Sequence, residues 1–448
     1  MVMKEKKIGF VGLCDENLAF VKEVILSDAN VSVLVGGDEF ASGRARAMLG
    51  GKTHRNYFLT SNINAFISSL GQGKTIFFSG CDADLRAKVL DLLMPLDIAI
   101  DASDCCYDKT NEIFEKSKCA TCCASLLKSA DYSPKTLCIS CDDILWSRLR
   151  RLFSEVMRGQ SKNQTVRGRL GSGSAAKFAA NMLRALEAAM AKFVAELFNV
   201  LSRANTLELD EISDIFLSMS VLYESPMLRR AAESLSAFGD LRGIFDKSND
   251  AALKDIVCKS ILFGEPSNIY SATAYSLSME NVSNRENLCR NLYGHDFIDM
   301  FPGQSPRSLS KAFTAALALL YAQTFSIVGR ISLERGLFID LYEFASLIWN
   351  SSFCSTSILP SALAALKCDQ ISNVLFSRSM AAVVNAGELD LRGISANAIA
   401  CAFPMPAFTA AMLYLDSLKR KIPHIVGCQP ARKSSRGAQM ALYAIPLF

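Results

Sequence analysis

Lys177, Asn181 and Arg184 fall at i, i+4 and i+7 of a long apolar-periodic stretch, so a helix there carries all three on one face. A lysine so placed can act as a base, and Arg184 can push it towards its neutral form by like-charge repulsion. Equally, Lys177 and Asn181 can be solvated or capping residues. A second constellation is Cys119-x-x-Cys122, fifteen residues, then Cys138-x-x-Cys141, the spacing of a four-thiolate zinc site. Its alternatives are buried thiols serving as small hydrophobes, or a redox role. A third lies near the start, where Gly9 and Gly12 belong to an apolar run ending in a turn. Glycines there let backbone amides approach a pyrophosphate. Asp15 and Glu16 follow and would repel it, while Asp38, after the next apolar run, suits the free ribose hydroxyl of NAD.

The elements that must position these residues follow from hydrophobic periodicity. Lys7 to Leu13 reads as a strand, Glu16 to Leu26 as a helix and Val31 to Val35 as a strand, which makes a parallel crossover unit. Thr75 to Phe78 and Ile98 to Asp101 are further strands, each preceded by a helical stretch. The alternation predicts a doubly wound sheet up to about residue 150. After Gly173, long helical patterns take over: Ala175 to Ala204, Leu209 to Met219, Leu253 to Phe263, Ser308 to Arg335 and Ala407 to Lys421. The expected division is 1–170, 171–421 and a polar, basic tail over 422–448.

Half of the 448 residues are hydrophobic, enough for a sizeable core split over more than one domain. The net charge of +4 is small and dispersed, so charge does not imply nucleic acid. The most apolar run, Phe313 to Phe325, is interrupted by Gln323 and reads as a buried helix, not a membrane span. With no secretory pattern at Met1 to Lys7, the fifteen cysteines are expected to be reduced and the protein intracellular, or organellar if a presequence has been removed. His54, His295 and His424 are too scattered to suggest a metal site.

Gly171-Ser-Gly173, Lys177 and Asn181 at the start of a long helix, after a sheet domain, resemble the β-hydroxyacid dehydrogenase superfamily. Three further stretches are similar to 6-phosphogluconate dehydrogenase: Ile261-Leu-Phe-Gly-Glu-Pro266, Tyr321-Ala-Gln323 with Trp349, and Phe403-Pro-Met-Pro-Ala-Phe-Thr409 through Tyr414 and Asp416. The resemblance implies an α/β Rossmann-like domain, a large all-α domain and a C-terminal tail. It further implies a homodimer and an NADP-dependent oxidative decarboxylation of 6-phosphogluconate, a step of the pentose phosphate pathway.

Matched position by position, the resemblance implies a damaged site. Lys177 matches the general base and Asn181 its partner, but Arg184 stands where the family has the acid that reprotonates the enediol, and a guanidinium holds its proton. The glycine turn keeps Gly12, is two residues short and lacks its last glycine. Asp104 replaces a neutral amide, and Ser125-Leu126-Leu127 replaces a Ser-Gly-Gly substrate loop. Asp250, Ala252 and Leu277 replace donors to the substrate phosphate. In the tail, Arg432 or Lys433 can stand in for an arginine, and Gln439 replaces a histidine. The expectation is a catalytically degenerate protein without a cofactor, kept as a structural or interaction subunit of a homodimer or larger assembly. The alternatives are an active NAD- or NADP-dependent oxidoreductase and a zinc- or redox-linked role for Cys119 to Cys141.

Overall fold

The structure is a computed structural model that describes residues 7–26, 29–36, 39–49, 57–103, 117–128, 134–156, 166–242, 244, 248–280, 282, 301–368 and 373–419. Asp38, Asp104, Arg432, Lys433 and Gln439 lie outside the described residues, as do the side chains of Asp15 and Glu16.

Strands β1 (Lys7–Val11), β2 (Asn30–Leu34), β3 (Tyr57–Thr60), β4 (Thr75–Phe78), β5 (Ile98–Asp101), β6 (Ala120–Lys128), β7 (Pro134–Ser140) and β8 (Val166–Arg169) form one sheet in the order β3-β2-β1-β4-β5-β6-β7-β8. All neighbours are parallel except β6 and β7. Helices α1 (Asp15–Leu26), α2 (Glu39–Met48), α3 (Ile63–Leu70) and α4 (Ala83–Leu90) alternate with the first strands, and α5 (Asp143–Val156) follows β7. Period-two alternation sends adjacent strand residues into different cores. Phe10 and Phe77 stack at 5.2 Å on one face, with Phe20 and Phe153 edge-on to Phe77. Val11, Phe78 and Phe66 pack on the other. Gly9 serves that second face: a Cβ there would stand 2.7 Å from Leu70 and 2.8 Å from Phe66. It lets α3 lie against β1.

The second domain is helical, as its periodicity predicts. Its centre is α6 (Ala175–Asn199), continued by a π turn over Val200–Ala204. Around it lie α7 (Leu209–Leu222), α8 (Pro226–Phe238), α9 (Ser248–Leu262), α10 (Asn268–Glu280), α11 (Pro306–Glu334), α12 (Leu341–Ser351), α13 (Leu359–Cys368), α14 (Arg378–Ala400) and α15 (Pro406–Lys419). Helix α11 is long and apolar enough to cross a membrane, but its apolar stretch is mostly buried among its neighbours. Gly387 allows α14 to press on α11, since a Cβ there would sit 2.1 Å from the Lys311 carbonyl oxygen. Leu127 and Cys138, from β6 and β7, join the helical core, so the antiparallel strand pair rests on α6.

A buried acid ties α6 to α15. Glu196 is fully buried and accepts hydrogen bonds from the Ala407 and Phe408 amides, 2.9 and 3.1 Å away, at the N-terminus of α15. Burial pushes its carboxyl up to about 7, while the two amides and Lys192 lower it only in part. The fold therefore binds this proton more tightly than the unfolded chain does. The associated stability is full at low pH and is lost as pH rises through about 7, by roughly 3 kcal/mol. Glu196→Gln is expected to flatten that part of the pH dependence, and Glu196→Ala to cost about 1–3 kcal/mol by stranding two amides. Denaturant midpoints measured between pH 5 and pH 8 check both.

Candidate functional site

Lys177 lies in the first turn of α6, just after the Gly171-Ser172-Gly173 turn that the sequence singles out. That turn is built for close approach. Gly171 has φ of +65°, and a Cβ there would stand 2.3 Å from the Leu337 carbonyl oxygen. The Gly173 carbonyl accepts a hydrogen bond of 2.6 Å from Ser140 at the end of β7, which docks the start of α6 onto the sheet.

The Lys177 ammonium is consequently driven into the end of β5. Its side chain is 3% exposed and forms a close ion pair with Asp101, whose side chain is 0% exposed. Nζ also lies 3.3 Å from Ser103 Oγ. Asp101 accepts two further hydrogen bonds, from the Ser103 amide at 3.0 Å and from its hydroxyl at 2.6 Å. Burial alone would raise the Asp101 carboxyl. The Lys177 charge and the Ser103 bonds outweigh it and hold the carboxyl below the usual range. Asp101 is thus a counter-ion with no proton to donate at neutral pH. Sequence reasoning missed it, and its signal is an acid ending an otherwise apolar buried strand.

The other α6 candidates are half-buried. Asn181 is one turn beyond Lys177 and makes no side-chain hydrogen bond among the described residues; Arg184 follows on the same face. Ala180 and Ala185 are buried in the helical core.

At the nucleotide turn the sheet topology reverses between β1 and β4, the place where doubly wound folds bind their ligands. Gly12 has φ of +87°, and a Cβ would stand 2.2 Å from the Ser79 carbonyl oxygen. The turn is closed by Asn17, which is buried. Its Oδ1 accepts the Cys14 amide at 2.9 Å, while Nδ2 donates to Ser79 Oγ at 2.7 Å and to the Gly12 carbonyl at 3.2 Å. A backbone amide that a pyrophosphate needs is therefore already used, and a side chain bridges the two strand ends. The residues present do not fit a dinucleotide. Asn17 and Ser79 are the second pair that sequence reasoning missed.

Positions implied for substrate are likewise occupied by packing. Ser125, Leu126 and Leu127 do not form a loop. They lie within β6, paired with Cys138, Leu137 and Thr136. Leu127 is held in the helical core, which a glycine could not have joined. Asp250 pairs with Lys254 at 2.8 Å, Ala252 is buried and Leu277 packs on the helical core.

The four thiols do not converge. Cys119, just before β6, packs with Phe78 on one side of the sheet, while Cys122 within β6 and Cys141 just after β7 pack on the other. Cys138 enters the helical core. Among the described residues no cluster of His, Cys, Asp and Glu could hold a metal ion. The zinc-ribbon spacing is overridden because the four thiols are divided among three separate cores. Burial raises all four thiols, Cys138 to about 12 and Cys141 to about 11.

Two outcomes are expected. Lys177→Met should cost about 3–5 kcal/mol by leaving Asp101 charged and alone, and Lys177→Met with Asp101→Leu should recover part of it. The contribution is present above the ordinary carboxyl range and lost as pH falls through the lower folded value, so acid unfolding should narrow the gap between Lys177→Met and wild type. Urea titrations at neutral and acid pH measure this. Cys122 and Cys138 should resist iodoacetamide in the native protein and react once it is unfolded, as mass spectrometry would read.

Residues 272–425 match the family model described as 6-phosphogluconate dehydrogenase, C-terminal domain. A comparison with curated proteins finds no match. Among solved structures, the chain is similar to the Plasmodium falciparum 6-phosphogluconate dehydrogenase, with a TM-score of 0.79 and 14% identity over 93% of this chain and 94% of that one. It also resembles 3-hydroxyisobutyrate dehydrogenase from Salmonella typhimurium, at a TM-score of 0.43 and 15% identity over 62% of this chain and 95% of that one. The chain thus has the fold of a 6-phosphogluconate dehydrogenase, a Rossmann-like sheet domain followed by a helical domain, and its residues 272–425 match the model of that enzyme's C-terminal domain.

Proposed function

We propose that this 6-phosphogluconate dehydrogenase-like protein is catalytically degenerate and serves as a structural or interaction subunit. The observation that carries the reading is the buried Lys177–Asp101 pair. An ammonium that neutralises an ionised, fully buried carboxylate has no lone pair with which to take a proton. Arg184 occupies the position that the resemblance gives to the acid, and Asp101 is itself ionised. The Asn17 bridge across the nucleotide turn supports the same reading from a separate place.

As a subunit, the protein would act through its helical domain. A homodimer, or a place in a larger assembly, is the arrangement that the fold suggests. The alternative reading is an active oxidoreductase using NADP or NAD. It rests on Lys177 and Asn181, and on the Plasmodium falciparum structure, described in complex with its cofactor NADP+ and its substrate 6-phosphogluconate.

Calorimetric titration with NADPH and NADP separates the two. The expected result is no saturable binding up to about millimolar nucleotide, the weak limit of about 4 kcal/mol, together with no reduction of NADP in the presence of 6-phosphogluconate. Saturable binding with steady reduction of NADP would overturn the proposal.

A further inference from the structure

The β6–β7 strand pair brings two of the four sequence-marked cysteines to one place. The pairings Cys123 with Ser140, Ala124 with Ile139 and Leu126 with Leu137 fix the register. Carried one residue further, that register sets Cys122 opposite Cys141. Their side chains share a face. Cys122 and Ala124 alternate along one strand and Leu137, Ile139 and Cys141 along the other, and all pack in the same core. Cys122 is 4% exposed and Cys141 3%.

The hydrogen-bond pattern sets their separation. In an antiparallel pair, opposed residues alternate between those that exchange backbone hydrogen bonds and those that do not, and the second kind lie closer. The Ile139 carbonyl accepts the Leu170 amide at 2.8 Å, so its backbone polar groups point towards β8 and away from β6. The Ala120 amide donates 3.2 Å to the Asp97 carbonyl, so those of Ala120 point towards β5 and away from β7. Two residues on from these, Cys141 and Cys122 repeat the same directions. They form a non-hydrogen-bonded pair, with Cα atoms about 4.5 Å apart. That lies within the range of roughly 4.4–6.8 Å that a disulfide bridges. The neighbouring thiols fail this condition. Cys138 lies opposite Ser125, Cys123 lies opposite Ser140, and Cys119 packs in another core.

We propose that Cys122 and Cys141 are a redox modification site, which hydrogen peroxide converts to a cross-strand disulfide closing the β6–β7 hairpin. The Cys141 sulfur attacks one peroxide oxygen and keeps it as a sulfenic acid, while the other oxygen leaves as water. The Cys122 sulfur then attacks the Cys141 sulfur, the S–O bond breaks and a second water leaves. The two thiols give up two electrons and two protons, and one peroxide becomes two waters. Burial pushes the Cys141 thiol up to about 11, Arg169 beside it lowers it in part, and Asp142 raises it. Burial and the nearness of Cys141 hold Cys122 well above the usual thiol range. Oxidation is therefore slow near neutrality and quickens with pH. Cys141 directly follows Ser140, whose hydroxyl docks the start of α6, so the bond braces the strand end on which that helix is seated. The site is separate from the cleft, and the inference stands whether or not the cleft is active.

Peptide mapping of the full chain tests it. The reduced native protein is held in millimolar hydrogen peroxide, unfolded in iodoacetamide and digested with trypsin. Mass spectrometry is expected to find peptide 119–128 joined to peptide 136–148, lighter by the two lost hydrogens, with fragment ions placing the bond at Cys122 and Cys141. Dithiothreitol should separate the two. Cys122→Ala and Cys141→Ala should each lose the joined peptide, whereas Cys123→Ala and Cys138→Ala should keep it. Its initial rate should rise by about tenfold per pH unit from pH 7 to pH 9, following the thiolate fraction. The oxidised protein should unfold at a higher urea concentration than the reduced one. Absence of the joined peptide from native protein would overturn the inference. So would a bond that forms only after unfolding, one that persists in Cys141→Ala, or a rate that ignores pH.

Discussion

One buried ion pair joins the two halves of the molecule. Asp101 ends a central strand, and Lys177 enters from the first turn of the longest helix that touches the sheet. Two charges withdrawn from water cost several kilocalories each unless they meet with good geometry and further hydrogen bonds. Ser103 supplies those bonds from the strand side, and the docking of Gly173 on Ser140 sets the approach of the helix. The pair therefore dictates where α6 sits on the sheet. On the reading proposed above, stability and proton abstraction make opposite demands on one nitrogen.

The nucleotide turn follows the same logic with a neutral group. Without the last glycine of the turn, α1 starts near β4, and the space between the strand ends is narrow enough for one amide side chain to span. Asn17 satisfies the Cys14 amide and the Gly12 carbonyl together and anchors to Ser79. A ligand would have to break three hydrogen bonds and then satisfy the same groups itself. Exchange of that kind leaves little net gain, since each internal hydrogen bond contributes only about 1 kcal/mol whereas a stranded donor costs more.

Much of this architecture is legible in the residues. The apolar runs at Lys7 to Leu13, Thr75 to Phe78 and Ile98 to Asp101 fall on strands, the first ending at Val11, and the helical patterns from Ala175 and Ser308 fall on helices, the second starting at Pro306. The lysine face of α6 is likewise readable from spacing. What escapes is long-range. Nothing near Asp101 announces a partner 76 residues away, and nothing near Asn17 announces Ser79. The cysteine spacing misleads because only Cys122 and Cys138 lie within strands, and packing divides the four thiols among three cores. Ser125 to Leu127 misleads because a family loop has been absorbed into a strand, which only the pairing with β7 reveals.

The residues that do match the family motifs have partners inside the chain. Tyr321 donates to the Cys354 carbonyl, Gln323 accepts the Ile269 amide at 3.1 Å and Asp416 grips Arg392 with both oxygens, at 2.6 and 3.0 Å. Each is fixed by the folding of this chain alone, and replacing it would strand a buried or paired group. By contrast, Arg184, Asp250, Ala252 and Leu277 stand at positions that the resemblance implies for catalysis and substrate. Packing constraints act on the first set with or without a reaction, and chemical constraints act on the second only while a reaction is needed. On the reading proposed above, a fold kept intact around an altered cleft is what remains when the first kind of constraint persists and the second has lapsed.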